Sequence, residues 1–120
     1  MANDYNKNTR QITLTRGDSF VREVTLKTED GSVLDIGDSG LIQFGVKEDP
    51  EDDACLIKKT YRTNPFILNL EPDDTKGLES GKYCYDAQVV FENGYTETFT
   101  DRIDDGKVIK AVFKIAPEVV

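Results

Sequence analysis

The sequence predicts an all-β protein, an antiparallel β-sandwich in a single domain. The chain breaks into short runs rich in Val, Ile, Phe, Tyr and Thr, which Gly, Asp, Asn and Pro separate. One of these runs alternates clearly between apolar and polar residues. With 120 residues, the chain has room for one hydrophobic core and none for a second domain.

The predicted strands are short and follow one another closely. About nine are expected, at residues 11–15, 20–28, 33–36, 41–47, 55–61, 66–70, 82–91, 95–100 and 108–115. Residues 1–10 are polar and without periodicity, which predicts a flexible N-terminal arm that is free or ordered only by a partner. Residues 11–120 then form the sandwich domain.

Residues 82–91 carry the clearest alternation. One face is apolar and is expected to meet the core, and it consists of Tyr83, Tyr85, Ala87, Val89 and Phe91. The last strand repeats the pattern with Ile109, Ala111, Phe113 and Ile115 opposite Lys110 and Lys114. Because Val108 and Val112 make its other face partly apolar, this strand is expected to be covered on both sides.

Two tight hairpins are expected, at Glu29-Asp30-Gly31 and at Glu92-Asn93-Gly94. A two-residue loop at the second would separate the apolar residues of its two arms. A three-residue loop with Gly94 in the left-handed conformation gathers them on one face, namely Val89, Phe91, Tyr95 and Phe99, with Glu97 among them. We favour the three-residue loop, and the same choice at Gly31 aligns Leu26 with Leu34 and Val24 with Ile36.

Residues 71–78 give the one helical signal. Pro72, Asp73 and Asp74 suit a first helical turn, and Gly81 is expected to end a helix of at most about two turns. We expect this helix to cross between the sheets and to place Leu78 at the sandwich edge.

The chain contains no histidine and no tryptophan. Ser-His-Asp and Cys-His arrangements therefore cannot form, and two cysteines cannot complete a structural zinc site. No Gly-rich phosphate loop follows a strand, and no carboxylate pair stands out. We predict no enzyme activity, no catalytic residues, no cofactor and no metal, and assign no binding residues.

The net charge limits the classes of partner that are expected. With 23 acidic and 15 basic residues the net charge is −8, whereas nucleic-acid binding needs a cationic face. We interpret the charge as a solvated, self-repelling surface instead of a site for one cationic partner. The N-terminus lacks the regions of a signal peptide, and no apolar run approaches the ~20 residues of a membrane span. Neither nucleic acid nor membrane is an expected partner, and synthesis in a cytosol is expected.

Cys55 and Cys84 are the two cysteines. A disulfide between them is the alternative to free thiols. Cysteines in a cytosolic chain are more often buried, reduced and inert, so we predict free thiols.

Three further patterns resemble sites but have simpler explanations. Acidic residues cluster at Asp49, Glu51, Asp52 and Asp53, and again at Asp101, Asp104 and Asp105 before Gly106. Neither cluster has the spacing of a calcium loop, so solvated hairpin tips are favoured over a cation site. Arg16-Gly17-Asp18-Ser19 matches an integrin-binding tetrapeptide but lies between two predicted strands, which favours a structural turn using the conformational freedom of Gly17.

Three segments in this order carry a resemblance to a known family: Ile12-Thr13-Leu14-Thr15-Arg16-Gly17-Asp18-Ser19-Phe20, then Pro72-Asp73-Asp74-Thr75 with Leu78, Gly81, Tyr83, Tyr85 and Asp86, and finally Phe113-Lys114-Ile115-Ala116-Pro117-Glu118-Val119. From about Gln11 onward the chain resembles phage-encoded proteins of the baseplate upper protein N-terminal domain type. The resemblance implies an immunoglobulin-like sandwich, alone or at the N-terminus of a longer baseplate protein, that docks into the virion. No fibre or receptor-binding region follows, which favours a small structural or accessory component over host recognition.

The expected function is thus protein–protein interaction within a phage or prophage tail or baseplate, in the virion, after synthesis in the host bacterial cytoplasm. Other tail or baseplate proteins and further copies of the chain are the expected partners. The arm before Gln11 and the exposed sheet edges are the candidate contacts, although the arm could instead cover Val108 and Val112 within one chain. A secreted or surface carbohydrate-binding or adhesion module is the alternative.

Overall fold

The computed structural model describes residues 3–6, 9–28, 30–49, 51–98, 102–104, 107–109 and 111–117. The elements in chain order are β1 (Asp4–Tyr5), β2 (Ile12–Thr15), β3 (Phe20–Val24), β4 (Leu41–Lys47), β5 (Ile57–Tyr61), β6 (Phe66–Leu70), α1 (Pro72–Lys76), β7 (Gly81–Val90), β8 (Thr96–Thr98), β9 (Arg102–Asp104), β10 (Lys107–Ile109) and β11 (Ala111–Ala116). The protein is an all-β sandwich in one domain, as the sequence predicts.

One large sheet forms most of the molecule. Its strand order is β1-β2-β11-β7-β4-β5, and β8 also pairs with β7. Neighbouring strands are antiparallel except for β2 and β11, which are parallel. The second layer is the antiparallel pair β3–β6.

The core lies between these two sheets. The large sheet contributes alternate residues of β2, β4, β7 and β11, and the small sheet contributes Phe20, Phe66, Leu68 and Leu70. On β7 the buried residues are Tyr85, Ala87 and Val89, and Tyr83 and the following Phe91 are half-buried against the core, which confirms the predicted face. Phe113 and Ile115 of β11 are buried and Lys114 is exposed; the side chains of Val108, Ile109 and Ala111 lie outside the described part of the chain.

Both hairpins have the three-residue loop that the sequence analysis favoured. Phe91 N–H donates to the Tyr95 carbonyl at 2.8 Å, and Gly94 has a φ of +90°. Thr28 N–H donates to the Ser32 carbonyl at 2.9 Å, and Gly31 has a φ of +88°. The predicted alignment of Leu26 with Leu34 is confirmed by a 3.0 Å backbone hydrogen bond. Phe99 lies outside the described residues.

The helix forms where Pro72 and the acids predicted it. The side chain of Asp74 accepts a hydrogen bond from the backbone N–H of Glu71 at 2.8 Å, as part of a capping box. The helix ends at Gly77, not at Gly81, and Leu78 packs partly buried against the core.

Several predicted strands have different bounds. Residues 33–36 form no strand but a single bridge from Val33 to Lys27, because the side-chain amide of Asn64 donates to the Leu34 carbonyl at 2.8 Å in place of a strand partner. β3 ends at Val24, short of the predicted residue 28. The predicted strand 108–115 is two strands, β10 and β11.

A hairpin leaves the large sheet beside β7. β4 lies along one edge of β7, and the other edge pairs with β11 over its first half and with β8 over its second half. Between β8 and β11 the chain forms the hairpin β9–β10, of which the sequence predicted no strand at β9. Asp104 lies in this hairpin, and Asp101, Asp105 and Gly106 lie outside the described residues.

The N-terminal segment also differs from the predicted arm. Asp4 and Tyr5 pair with Thr13 and Ile12 of the same chain, so this part of residues 1–10 forms an edge strand of the large sheet. The side chain of Asn3 also stabilises this strand, since its Oδ1 accepts a hydrogen bond from Thr15 N–H at 2.9 Å.

Candidate interaction site

The Arg16–Ser19 segment is a turn between β2 and β3, as predicted. Gly17 has a φ of +83°, and its N–H donates to the hydroxyl of the fully buried Thr75 at 2.9 Å. Arg16 donates through its backbone N–H to the Ala116 carbonyl at 2.9 Å and through its guanidinium to the Leu78 carbonyl at 3.3 Å. Through these hydrogen bonds the tetrapeptide closes one end of the sandwich. It is therefore the structural turn that was predicted from the sequence.

The acidic residues Asp49, Glu51, Asp52 and Asp53 lie after β4, where the first three bond to one another locally. Asp49 Oδ1 accepts from Glu51 N–H at 3.0 Å, and Asp52 Oδ2 accepts from Asp49 N–H at 3.2 Å. These carboxylates therefore bond to their own loop. Within the described ranges, no three His, Cys, Asp or Glu side chains are grouped closely enough to hold a metal ion.

Both cysteines are free thiols, as predicted. Cys84 is half-buried, and its Sγ contacts the Lys47 carbonyl at 3.4 Å. Burial raises the pKa of its thiol above the usual value. The expectation that both thiols are buried is wrong for Cys55, which is exposed because it precedes β5 on the loop after the acidic turn.

A cavity of about 450 Å³ opens between the two sheets near β1 and the start of β2. Its interior is apolar and largely aromatic, being formed by Ile12, Phe20, Phe44, Phe66, Leu68, Tyr85 and Ala87. Its volume is in the range of ligand pockets, which are typically lined by apolar side chains with a few polar groups at defined places.

Charged side chains surround the apolar interior of this cavity. The lining includes Arg10, Arg22 and Lys27 with one carboxylate, Glu23. The Arg22 guanidinium lies 4.9 Å from the ring centroid of Tyr5, an attractive cation–π arrangement that holds this charge at the rim. The cavity therefore has a cationic rim on a chain whose net charge is −8.

The backbone of Arg10 is fixed in an unusual conformation beside the cavity. Its φ is +61°, in the left-handed region that non-glycine residues seldom adopt. The hydroxyl of Tyr85 donates a hydrogen bond to the Arg10 carbonyl oxygen, and the Arg10 N–H donates to the Asn6 carbonyl at 2.7 Å. Burial raises the pKa of Tyr85 well above that of an ordinary tyrosine, so the phenol keeps its donor proton.

β3 forms one side of the cavity. Within the described residues it pairs with β6 alone, so its other edge carries no strand. Residues 1–10 and the sheet edges are the contacts predicted from the sequence, and the structure brings Tyr5 and Arg10 of that segment together with this edge. No sequence pattern indicates the cavity, because its lining comes from six separate segments of the chain.

No helix in the described ranges is long and apolar enough to cross a membrane.

No family model, no curated protein and no solved structure matches the chain.

Proposed function

We propose that this chain is a non-enzymatic structural or accessory protein of a phage or prophage tail or baseplate assembly, where it acts as a protein–protein interaction module. The observation that carries the proposal is the resemblance of its three segments, at residues 12–20, 72–86 and 113–119, to the baseplate upper protein N-terminal domain type. The immunoglobulin-like character of the sandwich is part of the same proposal.

The packing of these three segments supports the proposal. Gly17 of the first segment bonds to Thr75 of the second, and Arg16 bonds to Ala116 of the third. The segments are distant in sequence and depend on one another in the fold. The three segments therefore belong to one packed unit, and the proposed role rests on the resemblance itself.

The surface also supports an interaction role. Val21 and Ile67 are 66% and 48% exposed, and both lie on the outer face of the β3–β6 sheet, since Val21 pairs with Asn69 two residues from Ile67. Adjacent exposed apolar side chains on a small sheet are a common feature of protein interfaces. Tail or baseplate proteins and further copies of this chain are the proposed partners, and the virion is the proposed location.

Fractionation of particles from the bacterium that carries the gene tests this proposal. A tagged copy of the protein should sediment with purified virions or with free tails, and mass spectrometry should find it there in a fixed ratio to a known tail protein. Its absence from virions, tails and tail-assembly intermediates, in cells that make the protein, would contradict the proposal.

Carbohydrate binding is a second candidate function, and the aromatic pair of Phe91 and Tyr95 favours it. Tyr95 is 61% exposed, and its ring centroid lies 5.8 Å from that of Phe91 beside the polar hairpin tip at Asn93. An exposed ring next to polar groups can stack on a sugar. A glycan array with wild-type protein and Tyr95→Ala separates the candidates, since only a carbohydrate-binding module gives array signals that this substitution removes.

A further inference from the structure

The smaller sheet of the sandwich has an open position beside β3. β6 lies toward β5, because Phe66 stacks on Tyr61 with ring centroids 4.6 Å apart and Asn69 N–H approaches the Tyr61 hydroxyl at 3.4 Å. β3 lies toward β1, because Arg22 sits over the ring of Tyr5. The unpaired edge of β3 in the described part of the chain therefore faces the same side of the molecule as β1, the last strand of the large sheet.

The cavity lies directly against this edge. Six consecutive residues, from Arg22 to Lys27, line it. Successive side chains of an extended chain point to opposite faces, so a continuous run can line one cavity only along its edge. The edge of this segment therefore runs along the cavity, with its charged side chains at the rim.

The interior of the cavity suits apolar side chains. The rings of Phe44 and Tyr85 lie 5.5 Å apart in it, and the methyl group of Ala87 lines it beside them. An extended peptide that paired with β3 would direct every second side chain toward this interior. The aromatic and aliphatic lining offers those side chains burial, which is the main source of affinity at interface anchors.

The charges at the rim set the sign of the partner. Arg22 and Lys27 exceed the single lining carboxylate, that of Glu23, by one charge. Arg22 and Lys27 are exposed, so a partner could approach them without displacing the core. Acidic side chains are complementary to such a rim and are steered toward it.

Together, these features define one kind of occupant. We propose that the edge of β3 and the adjoining cavity bind an extended acidic segment of a partner protein, which adds a strand to the β3–β6 sheet and places apolar side chains in the cavity. Backbone pairing gives such strand addition its affinity, and the pockets for alternate side chains give it specificity. This inference rests on the proposed function, for which it specifies the docking surface and the chemistry of the partner segment.

Peptide binding tests the inference on the full chain. The probe is a library of blocked peptides of about seven residues, long enough to span the six lining residues, in which acidic residues alternate with Val, Ile, Leu or Phe. A second library has Lys and Arg in place of the acids. We expect the wild-type protein to bind members of the acidic library and to leave the basic library unbound. Equal binding of both libraries, or of neither, would overturn the inference.

Three variants locate the binding. Arg22→Glu reverses a rim charge and should weaken the best acidic peptide at least about tenfold. Lys58→Glu makes the same change on an exposed residue of β5, outside the cavity, and should leave affinity within about twofold. Ala87→Leu fills the cavity and should abolish binding, with thermal unfolding as the check that it folds. An equal loss in Lys58→Glu, or full affinity in Arg22→Glu, would overturn the inference even if Ala87→Leu failed to fold.

Hydrogen exchange reads out the strand pairing itself. On binding, amide protons in the segment Arg22 to Lys27 should gain protection, except that of Leu26, which already donates to Asn64, while those of β5 should not change. Protection confined to β5 or to the outer face of the large sheet would overturn strand addition. If Arg22→Glu still sediments with tails after losing the peptide, the docking surface is wrong and the proposed function stands; if the wild type binds the peptide but never enters tails, the proposed function fails instead.

Discussion

At the residue scale, the backbone of Gly17 is the sharpest constraint at the closed end of the sandwich. Its φ of +83° disfavours any residue with a Cβ, so Gly17→Ala should lower the free energy of unfolding by about 1–2 kcal/mol. Gly77 provides the matched control, since its φ is −87° and an added Cβ would meet nothing within 4 Å. Gly77→Ala should therefore be neutral or slightly stabilising. Chemical denaturation of both variants measures the difference, and equal losses would contradict it.

Tyr85 predicts how stability responds to alkali. Burial raises the pKa of its phenol in the folded protein well above the ordinary value of 10.0. The unfolded chain then loses this proton first as the pH rises, so the free energy of unfolding is undiminished below about pH 10 and falls above it, by at most about 1.4 kcal/mol per pH unit. Tyr85→Phe removes this contribution and should flatten the decline.

The slope, measured by denaturation between about pH 9 and 12, is the informative quantity, because Tyr85→Phe also removes the hydrogen bond to the Arg10 carbonyl at every pH. Tyr95→Phe is the control, since that side chain is largely exposed. Parallel curves for the wild type and Tyr85→Phe would show that this phenol does not set the alkaline limit.

The two thiols should differ in reactivity. Cys55 is exposed, whereas Cys84 is half-buried with a raised thiol pKa. Because the thiolate is the reactive form, native protein treated with iodoacetamide should be alkylated first at Cys55. Under denaturing, non-reducing conditions, intact mass should show both cysteines modified. Finding neither modified would indicate a disulfide and contradict the free thiols.

At the scale of elements, the side chain of Asn64 joins the residues that follow β3, around Leu26, to the segment around Leu34. Asn64 Oδ1 accepts from Leu26 N–H at 3.0 Å, and its Nδ2 donates to the carbonyls of Leu26 and Leu34 at 3.0 and 2.8 Å. Asn64→Asp keeps the shape but turns a carboxylate oxygen toward two carbonyl oxygens. It should cost about 2 kcal/mol or more at neutral pH.

The pH dependence of that variant gives a second readout. Facing carbonyl oxygens should raise the pKa of the new carboxyl, so the destabilisation is present above that pKa and is relieved as the pH falls and the group becomes a donor. Denaturation at about pH 4 and pH 7 compares the two states. Asn69→Asp, on an exposed position of β6, should change stability by less than about 0.5 kcal/mol; a similar loss there would rule out the bridging role of Asn64.

At the scale of the whole molecule, the exposed pair Val21 and Ile67 predicts self-association. We expect light scattering to find an oligomer that Val21→Lys disrupts, because the new charge would be buried in the interface. Thr60→Lys, on an exposed position of β5, should not disrupt it. Since β1 already pairs within its own chain, deleting residues 1–10 should lower the thermal midpoint and leave the oligomer assembled. A strict monomer at high concentration would contradict this assembly.

The sequence determined the features that depend on neighbours along the chain. Apolar alternation placed the core face of β7, Gly31 and Gly94 fixed both three-residue hairpins through their positive φ, and Pro72 with its acids started the helix. These signals are local because side-chain period, turn conformation and helix capping each involve only a few consecutive residues.

Tertiary structure alone decided the rest. The parallel pairing of β2 with β11, the placement of β1 on β2 and the replacement of a strand at residues 33–36 by the amide of Asn64 all join distant parts of the chain. The cavity beside β3 has the same origin, since Arg10, Arg22 and Tyr85 meet only after the sheets have packed. A single sequence records which residues are apolar or charged but not which distant partners complete their hydrogen bonds and burial, so the candidate site could not be read from it.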